Sequence, residues 1–346
     1  MTALPRQDLD HVLKHTAELW SELRGQQILI TGGTGFFGKW LIETYLWAEQ
    51  QLGLGGRISV LTRNPEAFQS AAPHLAQSPA LRLLRGDIRQ RFDLAGDFSH
   101  VIHGAASVRV DSTPAEKLET WHTIVQGTQN ILEFSASAQV RKLLFISSGA
   151  VYGPQPATIT RMSEEYLGGP DPSLAASAYG EGKRAAEILC ALHAGAGKLE
   201  AKIARCFAFV GPHLPLDSHF AIGSFIRDAM ARSPIRIAGD GTPLRSYLYA
   251  ADLCVWLWHI LVRGQSLRPY NVGSADALSI REVADEVADL FSPRPEILVA
   301  QSPKHGRAPS AYIPNVDRVQ AELGLRQEIS VREAIRRTIQ WYTSNY

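Results

Sequence analysis

A short apolar run, Gln27–Thr31 (QILIT), ends in a glycine-rich turn, Thr31–Gly38 (TGGTGFFG), and a helical stretch, Lys39–Leu52, follows directly. Glycines placed between a strand and a helix in this way serve three needs. One permits the tight turn, one lets backbone approach a pyrophosphate, and one lets helix and strand pack closely. Amides at the start of the helix then face the phosphates. The segment predicts a doubly wound, Rossmann-type α/β domain, with Gly32, Thr34, Gly35, Phe36, Phe37 and Gly38 beside a bound dinucleotide.

The chain continues as such a domain requires. Arg57–Leu61, Leu81–Leu84, His100–His103, Lys142–Ser147 and Ala201–Phe207 read as further strands, with helices over Ala115–Ala138 and Ala178–Ala194. Unbroken apolar runs without alternation belong to a parallel sheet covered on both faces. Ahead of the first strand, residues Asp8–Leu23 carry apolar side chains at helical spacing and predict one additional helix, a packing or dimer-contact element. The expected division is an extra helix over 1–24, a dinucleotide-binding domain over 25–210, and a smaller mixed lobe over 211–346. In that lobe prolines break the alternation, and a stretch near 241–275 is expected to return to the main sheet.

Composition narrows the function classes. A formal charge of +1 over 346 residues gives no general attraction for nucleic acid or membrane, so any anion must be bound at a local site. The N-terminus lacks a basic segment followed by an apolar run, and the expected location is cytoplasmic. Cys190, Cys206 and Cys254 stand far apart in apolar surroundings and read as reduced core residues. No His, Cys or carboxylate cluster has metal-ligand spacing. The aromatic run Trp256–His259 reads as a buried helix face rather than a platform for bases.

The end of the second strand bears on the choice of dinucleotide. An acidic residue there suits the ribose hydroxyl of NAD, and arginine suits the extra phosphate of NADP. The sequence reads Leu61-Thr62-Arg63-Asn64, so Arg63 favours NADP(H), with NAD kept open. Asp87, in Gly86-Asp87-Ile88, is placed to meet an adenine amino group or is a plain turn residue.

Tyr179 and Lys183 lie four apart on the helix over Ala178–Ala194, hence on one face. An ammonium beside a phenol favours the phenolate. Lowering a tyrosine by three pKa units needs roughly 4 kcal/mol of differential stabilisation, to which a nicotinamide ring would add. Ser148, at the end of the fifth strand, stands where open α/β sheets present groups to ligands. Its hydroxyl suits a hydrogen bond to the substrate oxygen that Tyr179 protonates or deprotonates.

Together these motifs resemble the extended short-chain dehydrogenase/reductase family, in its nucleotide-sugar epimerase/dehydratase/reductase branch. The resemblance runs from Gln27 to the C-terminus. It rests on TGGTGFFG, Gly86-Asp87, His103-Gly104-Ala105-Ala106, Ser147–Gly153 (SSGAVYG), Tyr179–Lys183, Gly211-Pro212, Gly239–Thr242 with Arg245, Asp252, and Asn271–Ser274. It implies Ser148, Tyr179 and Lys183 as the catalytic set. It also implies His103, Ala105 and Ala106 along the cofactor's ribose and nicotinamide, with Asp87 and Ile88 near the adenine. Arg245 is implied at the diphosphate of a sugar nucleotide, and Arg307 near the nucleotide. A homodimer through the segments Ala115–Ala138 and Ala178–Ala194 is the corresponding partner.

The resemblance also narrows the sugar chemistry. Dehydratases of the family place Asp and Glu directly after the catalytic hydroxyl, and decarboxylases keep a Glu there. Here stand Gly149 and Ala150, which cannot transfer a proton. What remains is redox at C4 of a nucleotide-activated sugar, as 4-epimerisation or as reduction of a 4-keto sugar. Arg63 inclines towards reduction. A dehydratase-like enzyme and a non-catalytic dinucleotide sensor are the alternatives, although such sensors typically lose the Tyr or the Lys. Three positions depart from the usual pattern: Ile124 and Ala208 stand for Asn, and Gly182 for Ser.

Overall fold

A computed structural model describes residues 2–106, 113–195, 198–217, 220–303, 306 and 308–345. The chain forms two compact units. The first comprises Met1–Gly153, Gly169–Cys206 and Cys254–Tyr270, and the second Pro154–Gly168, Phe207–Leu253 and Asn271–Tyr346.

The elements of the first unit run in order as α1 (Arg6–His15), α2 (Trp20–Leu23), β1 (Gln27–Thr31), α3 (Phe36–Leu52), β2 (Arg57–Thr62), α4 (Pro65–Ala71), α5 (Pro73–Ala76), β3 (Leu81–Arg85), β4 (His100–His103), α6 (Pro114–Ser137), β5 (Lys142–Ser148), a 3-10 turn over Gly149–Tyr152, α7 (Ala178–Gly195) and β6 (Glu200–Cys206). The chain continues through β7 (Phe209–Val210), α8 (Ala221–Met230), β8 (Ile235–Ile237), β9 (Leu244–Arg245), β10 (Leu248–Tyr249), α9 (Ala250–Arg263) and β11 (Pro269–Val272). It ends with β12 (Leu278–Ser279), α10 (Ile280–Ala288), β13 (Ile297–Val299), β14 (Ala311–Tyr312), α11 (Asp317–Leu323) and α12 (Val331–Asn345).

Seven strands form one parallel sheet in the order β11-β6-β5-β4-β1-β2-β3. Strand order departs from β1 in both directions, so the crevice outside the carboxyl ends of β1 and β4 is the topological switch point, where such sheets bind ligands. Thr31 and His103 are paired in register at those two ends. The strands are apolar because both faces are covered. Leu29, Val101 and Leu143 are buried in one cluster with Ile124, Ile131, Leu132, Ala186 and Cys190 of α6 and α7. Burying each Leu or Ile side chain of this kind contributes about 1.5–3 kcal/mol.

The single helix expected over Asp8–Leu23 is two helices. Thr16 leaves helical geometry at φ −121°, ψ 12°. Its amide and hydroxyl both donate to the Val12 carbonyl, at 3.0 and 2.6 Å, and close the first helix. Beyond the break, the Trp20 ring packs 5.3 Å from Trp258 and 6.2 Å from Tyr45. The first helix and the residues before it are fastened to α3: the Leu4 amide donates to Glu43 Oε1 at 2.6 Å, and Trp47 Nε1 to Asp10 Oδ1 at 2.9 Å. Helices α4 and α5 lie between β2 and β3. Asn64 caps the former, accepting from the Ala67 amide at 3.0 Å, with Pro65 at its first position.

The second unit contains three small sheets, β10-β7, β12-β9-β14 and β13-β8. The segment Pro154–Gly168 belongs to it through a backbone bridge. The Met162 amide donates to Ile313 O at 2.8 Å and the Asn315 amide to Met162 O at 2.7 Å. Cys190, Cys206 and Cys254 are buried and unpaired with one another. Among the described residues no helix is long and apolar enough to cross a membrane.

Candidate active site

The glycine turn is built so that side chains cannot enter it. Gly32 has φ +75°, and a Cβ there would lie 2.7 Å from the Gly104 carbonyl carbon and 2.8 Å from the Ala105 amide. A Cβ on Gly38 would lie 2.3 Å from Gly33 Cα and 2.5 Å from Gly32 O. The Gly35 amide donates to Gly32 O at 3.1 Å, and α3 starts from Gly35 without a side-chain cap. A helix start of this form favours an anion, and the cradle fits a dinucleotide pyrophosphate. Thr34 is exposed, and the Phe36 and Phe37 rings meet edge-on at 5.6 Å.

His103, at the end of β4, is buried between two threonines. Its Nδ1 is 2.7 Å from Thr31 Oγ1 and its Nε2 is 3.0 Å from Thr128 Oγ1. The Thr128 hydroxyl donates its only proton to the Ile124 carbonyl at 2.6 Å, so towards His103 it accepts. Nε2 therefore carries the ring proton, and Nδ1 accepts from Thr31. The Thr31 oxygen in turn accepts the Ala105 amide at 3.3 Å. Burial, then the nearby Lys183 charge, pushes His103 down to about 3, which keeps the ring neutral. Ala105 is partly buried and Ala106 exposed beyond it.

Ser148, Tyr179 and Lys183 come together in this first unit. Ser148 ends β5, accepts the Ala150 amide at 3.1 Å and hydrogen-bonds to Tyr179. Tyr179 and Lys183 share one face of α7, the ammonium 6.0 Å from the phenol ring centroid. Lys183 is 2% exposed, donates to Ile146 O at 2.7 Å and sits 4.8 Å from the centroid of Phe145. The N-terminal turn of α7 lies tightly on the 3-10 turn, because a Cβ on Gly180 would come within 2.6 Å of Ala150 O.

In the chain alone, burial raises Tyr179 to about 12, and the hydrogen bond with Ser148 draws it back. Lys183 directs a donor to the strand backbone, and burial lowers it to about 8. The chain alone therefore holds a neutral phenol beside a buried ammonium that is still mostly protonated at neutral pH.

Arg63 is exposed just beyond β2, and its carbonyl accepts Arg85 Nη1 at 3.3 Å. Asp87 is held locally: Arg89 Nε and Nη2 meet its carboxylate at 3.0 and 2.5 Å, which keeps it below the usual carboxylate range. Ile88 is buried against α6, where its carbonyl accepts Asn130 Nδ2 at 2.8 Å. In the second unit, Arg245 lies on β9 and donates to Leu244 O at 2.8 Å. Arg307 lies outside the described residues.

Two departures from the family pattern are neighbours. A Cβ on Gly182 would stand 3.6 Å from the Ile124 side chain, an ordinary packing distance, and Ile124 is 1% exposed. An apolar residue on α6 thus faces a residue without a side chain on α7, where the usual Asn and Ser would bring polar groups.

Three participants escaped the sequence reading. Thr128 orients His103. Glu187 and Arg205 form a mostly buried pair, with Arg205 Nη2 to Glu187 Oε2 at 2.6 Å. A lone arginine inside an apolar strand, in a register that must be buried, was the available signal for the pair. Among the described residues no group of three or more His, Cys, Asp or Glu is arranged to hold a metal ion.

Residues 28–273 match the model of the "NAD dependent epimerase/dehydratase family". UDP-glucuronic acid decarboxylase 1 of Arabidopsis thaliana is 29% identical over 320 residues, spanning 90% of this chain and 69% of its own length. The structure of MoeE5 in complex with UDP-glucuronic acid and NAD superposes with a TM-score of 0.74 at 28% identity, covering 92% of this chain and 100% of that one. A UDP-glucose 4-epimerase from Thermotoga maritima has a TM-score of 0.76 at 19% identity, covering 92% and 99%, which is a likeness of fold.

Proposed function

We infer the function from one premise: the chain belongs to the NAD dependent epimerase/dehydratase family. Within it, we propose oxidation and reduction at C4 of a nucleotide-activated sugar. The observation that carries this is the convergence of Ser148, Tyr179 and Lys183 beside a glycine cradle, with Gly149 and Ala150 directly after the serine. Neither Gly149 nor Ala150 can move a proton at C5 or C6, which disfavours dehydration and assisted decarboxylation.

The dinucleotide, when bound, supplies the hydride acceptor and donor. Gly32 to Gly38 would hold its pyrophosphate, with Arg63, Asp87, Ile88, Ala105 and Ala106 along its remaining length. Positive charge bound beside Tyr179 would favour its phenolate, which would take the proton from the C4 hydroxyl and return it, while Ser148 would hold the same oxygen. Lys183 keeps positive charge beside the phenol. The second unit, with Arg245, is proposed as the lobe that takes the nucleotide diphosphate through bidentate contacts.

Epimerisation is the first reading, since a cofactor recycled in place fits a family described as NAD dependent. Relatives named for UDP-glucuronic acid support a UDP-sugar as the first substrate to try. Reduction of a 4-keto sugar with NADPH is a second reading, favoured by the exposed Arg63 at the end of β2. A homodimer is proposed through α6 and α7, whose Leu118, Ile188 and Leu192 are 55%, 61% and 65% exposed.

The test incubates the protein with UDP-glucose, UDP-glucuronic acid and 4-keto-6-deoxy nucleotide sugars, with NAD or NADPH. Interconversion of C4 epimers without net cofactor change supports epimerisation, and substrate-dependent NADPH loss supports reduction. Release of carbon dioxide or water as the main course would overturn both the epimerase and the reductase readings.

A further inference from the structure

Behind the catalytic set lies a polar knot that the proposed chemistry does not use. Glu187 is four residues beyond Lys183 on α7, hence on the same face. Ser147, the neighbour of Ser148, donates to Glu187 Oε1 at 2.6 Å. Arg205, paired in register with Ser147 across β5 and β6, grips both carboxylate oxygens, with Nε to Oε1 at 3.0 Å and Nη2 to Oε2 at 2.6 Å. Its Nη1 donates to Tyr152 Oη at 3.0 Å, and the guanidinium lies 4.9 Å from the Tyr152 ring centroid. The side chains of Arg205 and Glu187 are 15% and 12% exposed.

One carboxylate thus joins the helix that carries Tyr179 and Lys183 to the strand that carries Ser148 and to the next strand, and Arg205 extends the link to Tyr152 of the 3-10 turn under the start of α7. A bidentate pair of this kind fixes direction as well as distance. We propose that Glu187 and Arg205 are positioning residues for the catalytic set: their ion pair fixes α7 against β5 and places a negative charge beside the Lys183 ammonium. This rests on the reading that Ser148, Tyr179 and Lys183 do the chemistry.

The groups around Lys183 make the charge effect readable. On α7 they are Tyr179, Glu187 and Cys190, on β6 Cys206, and on β4 the neutral His103. Strand β5 offers the Ile146 carbonyl and the Phe145 ring. Burial raises both thiols, so they stay protonated, and Glu187 is the carboxylate acting to raise Lys183.

The experiment follows turnover of a C4 epimer pair against pH in the full chain, beside titration of the Lys183 Nζ by NMR with nitrogen-15-labelled lysine. In Glu187→Gln we expect kcat to fall about tenfold or more with KM within about twofold, as misplacement of reacting groups produces. The Lys183 titration, and with it the alkaline limb of kcat, should move down by about half a pH unit or more. A loss of activity with both titrations unmoved would make the pair merely structural and overturn the proposal. Should Glu187→Gln fail to fold, Ser147→Ala keeps both charges. A lower kcat with an unmoved Lys183 titration is then expected, and an unchanged kcat overturns the positioning role. Should the wild-type chain turn over no nucleotide sugar, the NMR arm decides alone. A moved Lys183 sustains the link while the functional reading falls, and an unmoved one overturns the link.

Discussion

His103 Nδ1 lies 2.7 Å from Thr31 Oγ1, so one neutral ring ties the end of β4 to the end of β1 where the sheet reverses its order. Thr128 locks the other ring nitrogen from α6. The histidine is therefore linked through Thr31 to the Ala105 amide, which the same oxygen accepts.

Acid stability follows from that burial. His103 has a folded value of about 3, below the unfolded value of about 6.5, so the unfolded chain binds more protons between these limits. The ring's contribution is complete above about pH 6.5 and is lost as pH falls towards 3, at up to about 1.4 kcal/mol per pH unit. His103→Gln should cost about 1–3 kcal/mol at pH 7 and flatten the fall in stability from pH 7 to 5. Urea unfolding at both pH values measures this, and an unchanged slope would remove His103 from the explanation.

Gly38→Ala puts a methyl within 2.3 Å of Gly33 Cα and 2.5 Å of Gly32 O. Both neighbours are backbone, so the loop must shift. A stability loss of about 1–3 kcal/mol is expected, with dinucleotide binding weakened at least about tenfold. Fluorescence titration with NAD checks the binding. Wild-type affinity would mean that the loop does not hold the pyrophosphate.

Arg63→Asp exchanges a cation for an acceptor at the end of β2. The expected result is a shift of about tenfold or more, or ~1.4 kcal/mol, in the ratio of affinities from NADP towards NAD. Parallel titrations with both dinucleotides provide the measurement. An unmoved ratio means that Arg63 does not read the ribose 2′ position.

Leu192→Glu places a charge on the exposed apolar face of α7. Sedimentation should show the wild type as a dimer and the variant shifted towards monomer, since desolvating an unpaired charge opposes association. A variant that sediments like the wild type would put the interface elsewhere.

Much of the first unit was legible because its signals are local. The glycine turn needs only backbone geometry, and the strands are short apolar runs with both faces buried. Tyr179 and Lys183 follow from helical spacing alone. The pieces that were not legible depend on partners distant in sequence. Glu187 meets Arg205 and Ser147 across 18 and 40 residues, and His103 meets Thr31 and Thr128 across 72 and 25. The break at Thr16 is one residue's departure to φ −121°, ψ 12°, which apolar periodicity does not register. Nor does proximity in a motif name every partner, since the Lys183 ammonium, expected to favour the Tyr179 phenolate, also donates to Ile146 O. The second unit, broken into short strands, offered little periodicity to read.

The most direct test of the account compares Tyr179→Phe with the wild type for turnover of a C4 epimer pair, beside dinucleotide affinity. The substitution removes one oxygen from a side chain that packs against the α6–α7 core, so fold and binding should stay near wild type. Turnover is expected to fall by about 10²–10⁴-fold, the size of a lost acid–base group. A variant that binds the dinucleotide and still turns over at the wild-type rate would contradict the assignment of Tyr179, and with it the proposed chemistry.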